Sequence, residues 1–184
     1  MDGATIVTRA LSAVGKGIVY KLGKGGLTAI GNLPSEPYKT KDGQIKQGCD
    51  CSGFVAWCLR RSRRPQPDFG KWWLSTDSIW SDAVGKLSKT GTAKRIFKQI
   101  PVEEMQAGDI VVYPDGYRNG KKLHEGHVAV VVDAGKRLLV DCSSTQNGIK
   151  MRPIPVFFDY GKEGSPLRTH RNQVICRYNQ MGWE

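Results

Sequence analysis

The residues that could do chemistry begin at Asp50-Cys51-Ser52-Gly53, where a loop gives way to the apolar positions Phe54, Val55, Cys58 and Leu59. The first backbone N–H groups of a helix have no intrahelical partner, and the helix dipole is positive there. Both effects favour a thiolate, which is the nucleophilic form of cysteine. Asp50 or Ser52 would cap the helix. Taken locally, Cys51 fits equally well as a small buried apolar residue behind a cap. A partner separates the two readings, because a reactive thiol needs a base or a cation beside it. Of three histidines, His127 opens the apolar stretch Val128 to Val132 directly after Gly126, which sets a polar ring at the rim of a sheet. His124 and His170 lie in polar, turn-like segments and read as solvated loop residues. A third group should orient the imidazole through its other nitrogen. Asp141 follows the apolar run Leu138 to Val140, and Ser143 lies two residues on, on the same face of a strand. Either would serve, and Asp141 reads alternatively as a strand-end residue in solvent.

Metal chemistry fits the pattern poorly. His124-Glu125-Gly126-His127 is one residue short of the zinc-protease spacing, and a strand pattern follows it where a helix is needed. Cys49 and Cys51 are too close for a structural zinc pair, and no second pair exists among Cys58, Cys142 and Cys176. Neither a metal nor an organic cofactor is expected. An odd cysteine count argues against a disulfide scaffold.

These residues need elements to position them. Ile6, Ala10 and Val14 recur at helical spacing over Ala4 to Val14, and Gly15 and Gly17 end that helix. A glycine-rich passage from Tyr20 to Gly31 and a loop through Pro34 and Pro37 follow. A second helix is expected from Ser52 to Arg61, stopped by Pro65 and Pro67. The stretch from Gln66 to Gln99 carries Trp72, Trp73 and Trp80 among many cations, with one helix expected around Asp77 to Leu87. From Asp109 on, the pattern turns to strands. Ile110 to Tyr113 is a short buried one, and Pro114 to Gly126 reads as a long polar loop. His127 to Val132 and Arg137 to Cys142 form a hairpin through Asp133-Ala134-Gly135-Lys136. Further strands are expected at Lys150 to Ile154 and Val174 to Tyr178. Helices first and an antiparallel sheet after make an α+β fold. No linker divides the 184 residues, so one domain is expected, with residues 62–107 as a variable basic, Trp-rich insertion.

The formal net charge is +11, and ten Lys or Arg stand against three Asp between Arg60 and Lys98. A basic face attracts polyanions: nucleic acid, anionic lipid or anionic cell-wall polymer. A nucleic-acid-binding module would use that cluster and its tryptophans but would leave Cys51 and His127 unexplained. Nothing approaches the roughly 20 apolar residues of a membrane helix. Arg9, Lys16, Lys21 and Lys24 break every candidate signal-peptide core, so synthesis in the cytoplasm without a cleaved leader is expected.

Three stretches together resemble the NlpC-type cell-wall peptidases, papain-like enzymes that cut the peptide stems of peptidoglycan. Asp50-Cys51-Ser52-Gly53-Phe54-Val55 is similar to their nucleophile motif, Ala107-Gly108-Asp109-Ile110-Val111 to their Gly-Asp strand opener, and Gly126-His127-Val128-Ala129-Val130-Val131 to their histidine strand. Tyr20-Lys21-Leu22-Gly23-Lys24-Gly25-Gly26 is similar to the Tyr and glycine segment ahead of the nucleophile. The neighbouring CHAP amidases are similar in the Gly-His-Val-Ala strand and less so at Asp-Cys-Ser-Gly. The resemblance implies a papain-like fold, with the nucleophile at a helix N-terminus packed on a central antiparallel sheet. It implies a cysteine peptidase or amidase acting on peptidoglycan stem peptides, with Cys51 as nucleophile and His127 as base. A third polar residue would lie on the strand after the histidine hairpin, where Asp141 falls, although the family more often has His, Asn or Gln there. It also implies that Tyr20, Asp50 and Ser52 hold the substrate's amine and carboxylate.

A lone catalytic domain of this kind looks like an exported antibacterial toxin, with a delivery or immunity protein as partner, or like a phage lytic enzyme. It would act in the periplasm or cell wall, as a monomer. A protein deamidase or transpeptidase on the same fold would use the same residues. The 76 residues between Cys51 and His127 exceed the expected gap, and the surplus falls in the basic, Trp-rich stretch.

Overall fold

The structure is a computed structural model that describes residues 1–28, 31–64, 73–87, 94–154 and 172–183. Trp72, His170, Pro65 and Pro67, and parts of the 62–107 stretch, lie outside the described residues. Helix α1 (Gly3–Ser12) starts on Asp2, whose side chain accepts from the Thr5 N–H, and buries Ile6 and Ala10. Helix α2 (Cys51–Cys58) is buried over all eight of its residues, as its unbroken small and apolar composition requires. Helix α3 (Thr76–Ala83) starts on a reciprocal capping box between Ser75 and Ser78.

The central sheet is six-stranded and antiparallel. It contains β4 (Arg95–Ile100), β5 (Ile110–Tyr113), β8 (His127–Asp133), β9 (Leu138–Ser143), β10 (Gly148–Pro153) and β11 (Val174–Trp183), in the order β10-β9-β8-β5-β11-β4. Val128, Val130, Val140, Cys142, Ile110 and Val112 point into the main core with the buried residues of α1, α2 and α3. The alternate residues Ala129, Val131, Leu139, Val111 and Tyr113 make a smaller cluster with Ile100 and Ile175 on the other side of the strands. The period-2 alternation therefore serves two apolar faces. Within the 62–107 stretch, α3 and β4 belong to this core: Ile79, Ile96 and Phe97 are buried in it. The Asp82 carboxylate ties the two elements together by accepting from the Ile96 and Phe97 N–H groups at 2.9 Å each.

The glycine-rich and Pro-containing passage before Cys51 forms a second, three-stranded sheet. Its strands β1 (Val19–Tyr20), β2 (Glu36–Lys39) and β3 (Ile45–Cys49) lie in the order β1-β3-β2, and Tyr20 pairs with Cys49. Strand β3 ends one residue before α2 begins. The polar stretch before His127, read as a loop, is a small hairpin of β6 (Gly116–Arg118) and β7 (Lys121–His124). Asn119 and Gly120 both take positive φ at its turn, the geometry that a two-residue hairpin turn demands.

Candidate active site

Asp50 caps α2. Its Oδ1 accepts from the Gly53 N–H at 2.8 Å and the Ser52 hydroxyl at 3.0 Å, which fixes the first turn and with it Cys51. Gly53 is required there, since a Cβ would come within 2.7 Å of the Lys24 and Gly25 carbonyl oxygens. The glycine-rich passage is thereby packed directly against the first turn of α2. Of the five cysteines, Cys51 alone keeps measurable exposure, at 6%, while the other four are at 0%. Burial pushes the thiols of Cys49, Cys58 and Cys176 up, which keeps them protonated and inert.

His127 is the first residue of β8, and Asp141 lies on the neighbouring β9. Their side chains meet: His127 Nε2 is 2.7 Å from Asp141 Oδ2. With Nε2 engaged, Nδ1 is the ring nitrogen left for the thiol, and the Cys51 side chain is a hydrogen-bonding neighbour of the ring. Burial disfavours the imidazolium. The hydrogen bonds to Asp141 and Cys51, and the negative charge at both, outweigh it and push His127 up to about 9. The site therefore carries a protonated ring at neutral pH. Burial alone would push the Asp141 carboxyl up, but its contacts with His127 and Arg152 hold it below the usual carboxylate range. Ser143, the alternative third residue, is turned to the β9–β10 connection, where its hydroxyl accepts from the Gln146 N–H at 3.3 Å.

Two arginines complete the site, and the sequence reading missed both. Arg152 of β10 grips Asp141 with two donors, Nε to Oδ1 at 3.1 Å and Nη2 to Oδ2. In the β9–β10 register Arg152 pairs with Leu139 and Asp141 with Lys150, so Arg152 is a diagonal neighbour of Asp141 on one face. Drawing that hairpin on the sequence would have found it. Arg63 follows α2. It donates from Nη1 to Asp50 Oδ2 at 2.9 Å and from Nη2 to the Ser52 hydroxyl at 2.9 Å. Its place depends on a long-range contact, its own N–H to the Gly26 carbonyl at 2.8 Å, and no local pattern announces that. Tyr20 faces the same group of residues. Burial first, then negative charge at Cys51 and Asp50, push its hydroxyl well above the ordinary tyrosine range, so it remains a neutral donor.

A family model, the CHAP domain, matches residues 40–143, more than half of the chain. The chain belongs to the CHAP domain family. That stretch contains Cys51, His127, Asp141 and Arg63, while Tyr20 and Arg152 lie outside it. The family is the one set beside the NlpC type on sequence likeness, and the NlpC type enters through the fold. NlpC1 from Trichomonas vaginalis is similar at 16% identity and a TM-score of 0.51, over 96% of this chain and 44% of that one. The peptidoglycan hydrolase RipB from Mycobacterium tuberculosis is similar at 20% identity and a TM-score of 0.48, over 95% of this chain and 63% of that one. An N-acetylmuramoyl-L-alanine amidase from Bacteroides uniformis is similar at 13% identity and a TM-score of 0.47, over 97% and 99%. The chain thus spans less than two thirds of the first two proteins. No match was found among curated protein sequences. The fold is the α+β, papain-like one that the resemblance implied. Among the described residues no helix is long and apolar enough to cross a membrane.

Proposed function

We propose that this CHAP domain is a cysteine amidase or peptidase that hydrolyses amide bonds in peptidoglycan stem peptides. The observation that carries the chemistry is the set Cys51, His127, Asp141: the one cysteine with measurable exposure stands at a helix N-terminus beside an imidazole whose far nitrogen is held by a buried carboxylate. The substrate class rests on the family and on the cell-wall amidases and hydrolases among its structural relatives.

In the proposed reaction Cys51 Sγ attacks the amide carbonyl carbon. The Cys51 N–H, in the first helical turn and ahead of the intrahelical ladder, donates to the oxyanion. His127 gives its Nδ1 proton to the departing amine, and the acyl group remains on sulfur as a thioester. A water molecule then attacks that carbonyl, His127 takes its proton, and carboxylate and thiol are regenerated. Asp141 keeps the ring in orientation throughout, and Arg152 keeps Asp141 in place. The setting that goes with this substrate is the periplasm or cell wall.

Purified peptidoglycan incubated with the protein is expected to release muropeptide fragments carrying a new amine and a new carboxylate, read by mass spectrometry. Cys51→Ala is expected to lower the rate by roughly 10³-fold or more, as removal of a nucleophile does. No fragments from the wild type, or the same fragments at the same rate from Cys51→Ala, would reject this function.

A further inference from the structure

The register of the β6–β7 hairpin sets Arg118 directly opposite Lys121 across the Asn119-Gly120 turn. Like charges in that position work against strand pairing. Both side chains are exposed, and among the described residues neither has an ion-pair partner. The next cation, Lys122, is used differently: its ammonium pairs with Asp115 at 2.7 Å and with Glu125. The tip of the hairpin therefore presents two cations that burden the turn and neutralise nothing within the described residues.

The base of the same hairpin is built onto the candidate active site. Asp115 Oδ1 accepts from the Gly126 N–H at 2.5 Å, and Gly126 immediately precedes His127. The Asp115 N–H donates to Oδ1 of Asp77, in the first turn of α3, at 2.8 Å. The His124 ring lies edge-on to the Tyr113 ring, with centroids 5.7 Å apart, and the His127 ring lies 6.2 Å from the same Tyr113. Three steps of extended chain from His124 to Lys121 then carry the tip about 10 Å out from that base. The tip stands apart from Cys51 and His127, so it meets a part of the ligand other than the bond being cut.

Resting on the function proposed above, we propose that Arg118 and Lys121 form a docking point for the free carboxylates of neighbouring stem peptides on intact peptidoglycan. Charge complementarity selects an anionic partner. The tie from the hairpin through Gly126 to His127 selects the polymer that carries the scissile amide. Holding one stem at the tip while another enters beside Cys51 raises the effective concentration of substrate at the thiol.

The test uses Cys51→Ala, which binds without turnover, pelleted with peptidoglycan purified free of accessory polymers. Binding is expected to weaken as salt rises and to be lost when the stem carboxylates are chemically amidated. Arg118→Glu in the same background is expected to lower affinity about tenfold, because an exposed ion pair is worth up to several-fold and the reversed charge adds repulsion. Its thermal unfolding midpoint should be no lower than that of the parent, since opposite charges then face each other across the turn. A merely structural role for Arg118 predicts the reverse. Lys121→Gln should lower affinity several-fold and gives an independent reading if Arg118→Glu unfolds. Tyr117 and Leu123, exposed at 62% and 56%, are what a lipid surface would use, so anionic vesicles and duplex DNA are titrated alongside. Equal affinity in the parent and both variants, undiminished binding to amidated peptidoglycan, or tighter binding to vesicles or DNA than to peptidoglycan would overturn the proposal. Digestion by the wild type is scored separately. Docking without digestion sinks the hydrolase reading, and digestion with docking unchanged in the variants sinks only the docking point.

Discussion

At the scale of single residues, the site works through where its protons sit. His127 is raised from an ordinary 6.5 to about 9, with burial opposing the shift and Asp141 and Cys51 producing it. A raised histidine stabilises the fold fully below its unfolded value, and this contribution is lost as pH rises through the folded value. The window here runs from about 6.5 to about 9. Over the same window the ring loses the proton that the leaving amine needs. The rate of hydrolysis per substrate, kcat/KM, is expected to fall on its alkaline side with a midpoint near pH 9. Asp141→Asn keeps the shape but removes the charge. It should move that midpoint down toward 6.5 and lower kcat/KM by roughly 10²-fold or more, the scale of a misoriented general base. A pH–rate profile in which the alkaline limb of Asp141→Asn stays where the wild type has it would contradict this role for Asp141. The Asp141 carboxylate is matched by Arg152, whose two donors neutralise it. On the proposed function Arg152 is thus a positioning residue that acts through Asp141.

At the scale of elements, Cys51 is held by a close approach between two pieces of chain. Helix α2 enters over the backbone of the glycine-rich passage, with Gly53 against the Lys24 and Gly25 carbonyls and Gly26 against Gly53. Gly53→Ala would place a methyl within 2.7 Å of two carbonyl oxygens, and neither is the end of a flexible side chain. Denaturant unfolding of Gly53→Ala is expected to show a loss of about 1–3 kcal/mol, the usual cost of overpacking. Unchanged stability would mean that the passage beneath α2 yields easily. These elements also mark what was legible in the sequence. The nucleophile helix, the His127–Asp141 hairpin and the strands near Lys150 and Val174 could be read from apolar periodicity and a polar cap, which are local signals. The three-stranded sheet before Cys51 was not, because Glu36–Lys39 and Ile45–Cys49 are short and largely exposed outside Gly48 and Cys49. Strand β4 was also missed. Lys98 and Gln99 interrupt its apolar pattern, and its burial comes from α3 and β11, which no window of sequence contains.

At the scale of the whole molecule, Cys51, His127 and Asp141 come from distant parts of the chain and meet only because α2 packs against β8 and β9. Type and spacing singled out Cys51 and His127 and left Asp141 and Ser143 open as the third group, and the structure brings Asp141, and not Ser143, to the ring. Arg63 and Arg152 stayed hidden because their roles are contacts across elements: charge alone made them two among 28 cations. The same packing distinguishes the five cysteines, since four are 0% exposed and Cys51, also buried, keeps 6%. That contrast gives the most direct measurement. The protein is titrated with less than one equivalent of iodoacetamide at pH 7, the labelled cysteine is located by peptide mapping, and the remaining hydrolysis of peptidoglycan is assayed on the same samples. The label is expected on Cys51, with activity falling in proportion to the fraction modified and labelling slowed in His127→Ala. Full activity in protein whose Cys51 is completely carboxamidomethylated would contradict a Cys51 nucleophile outright.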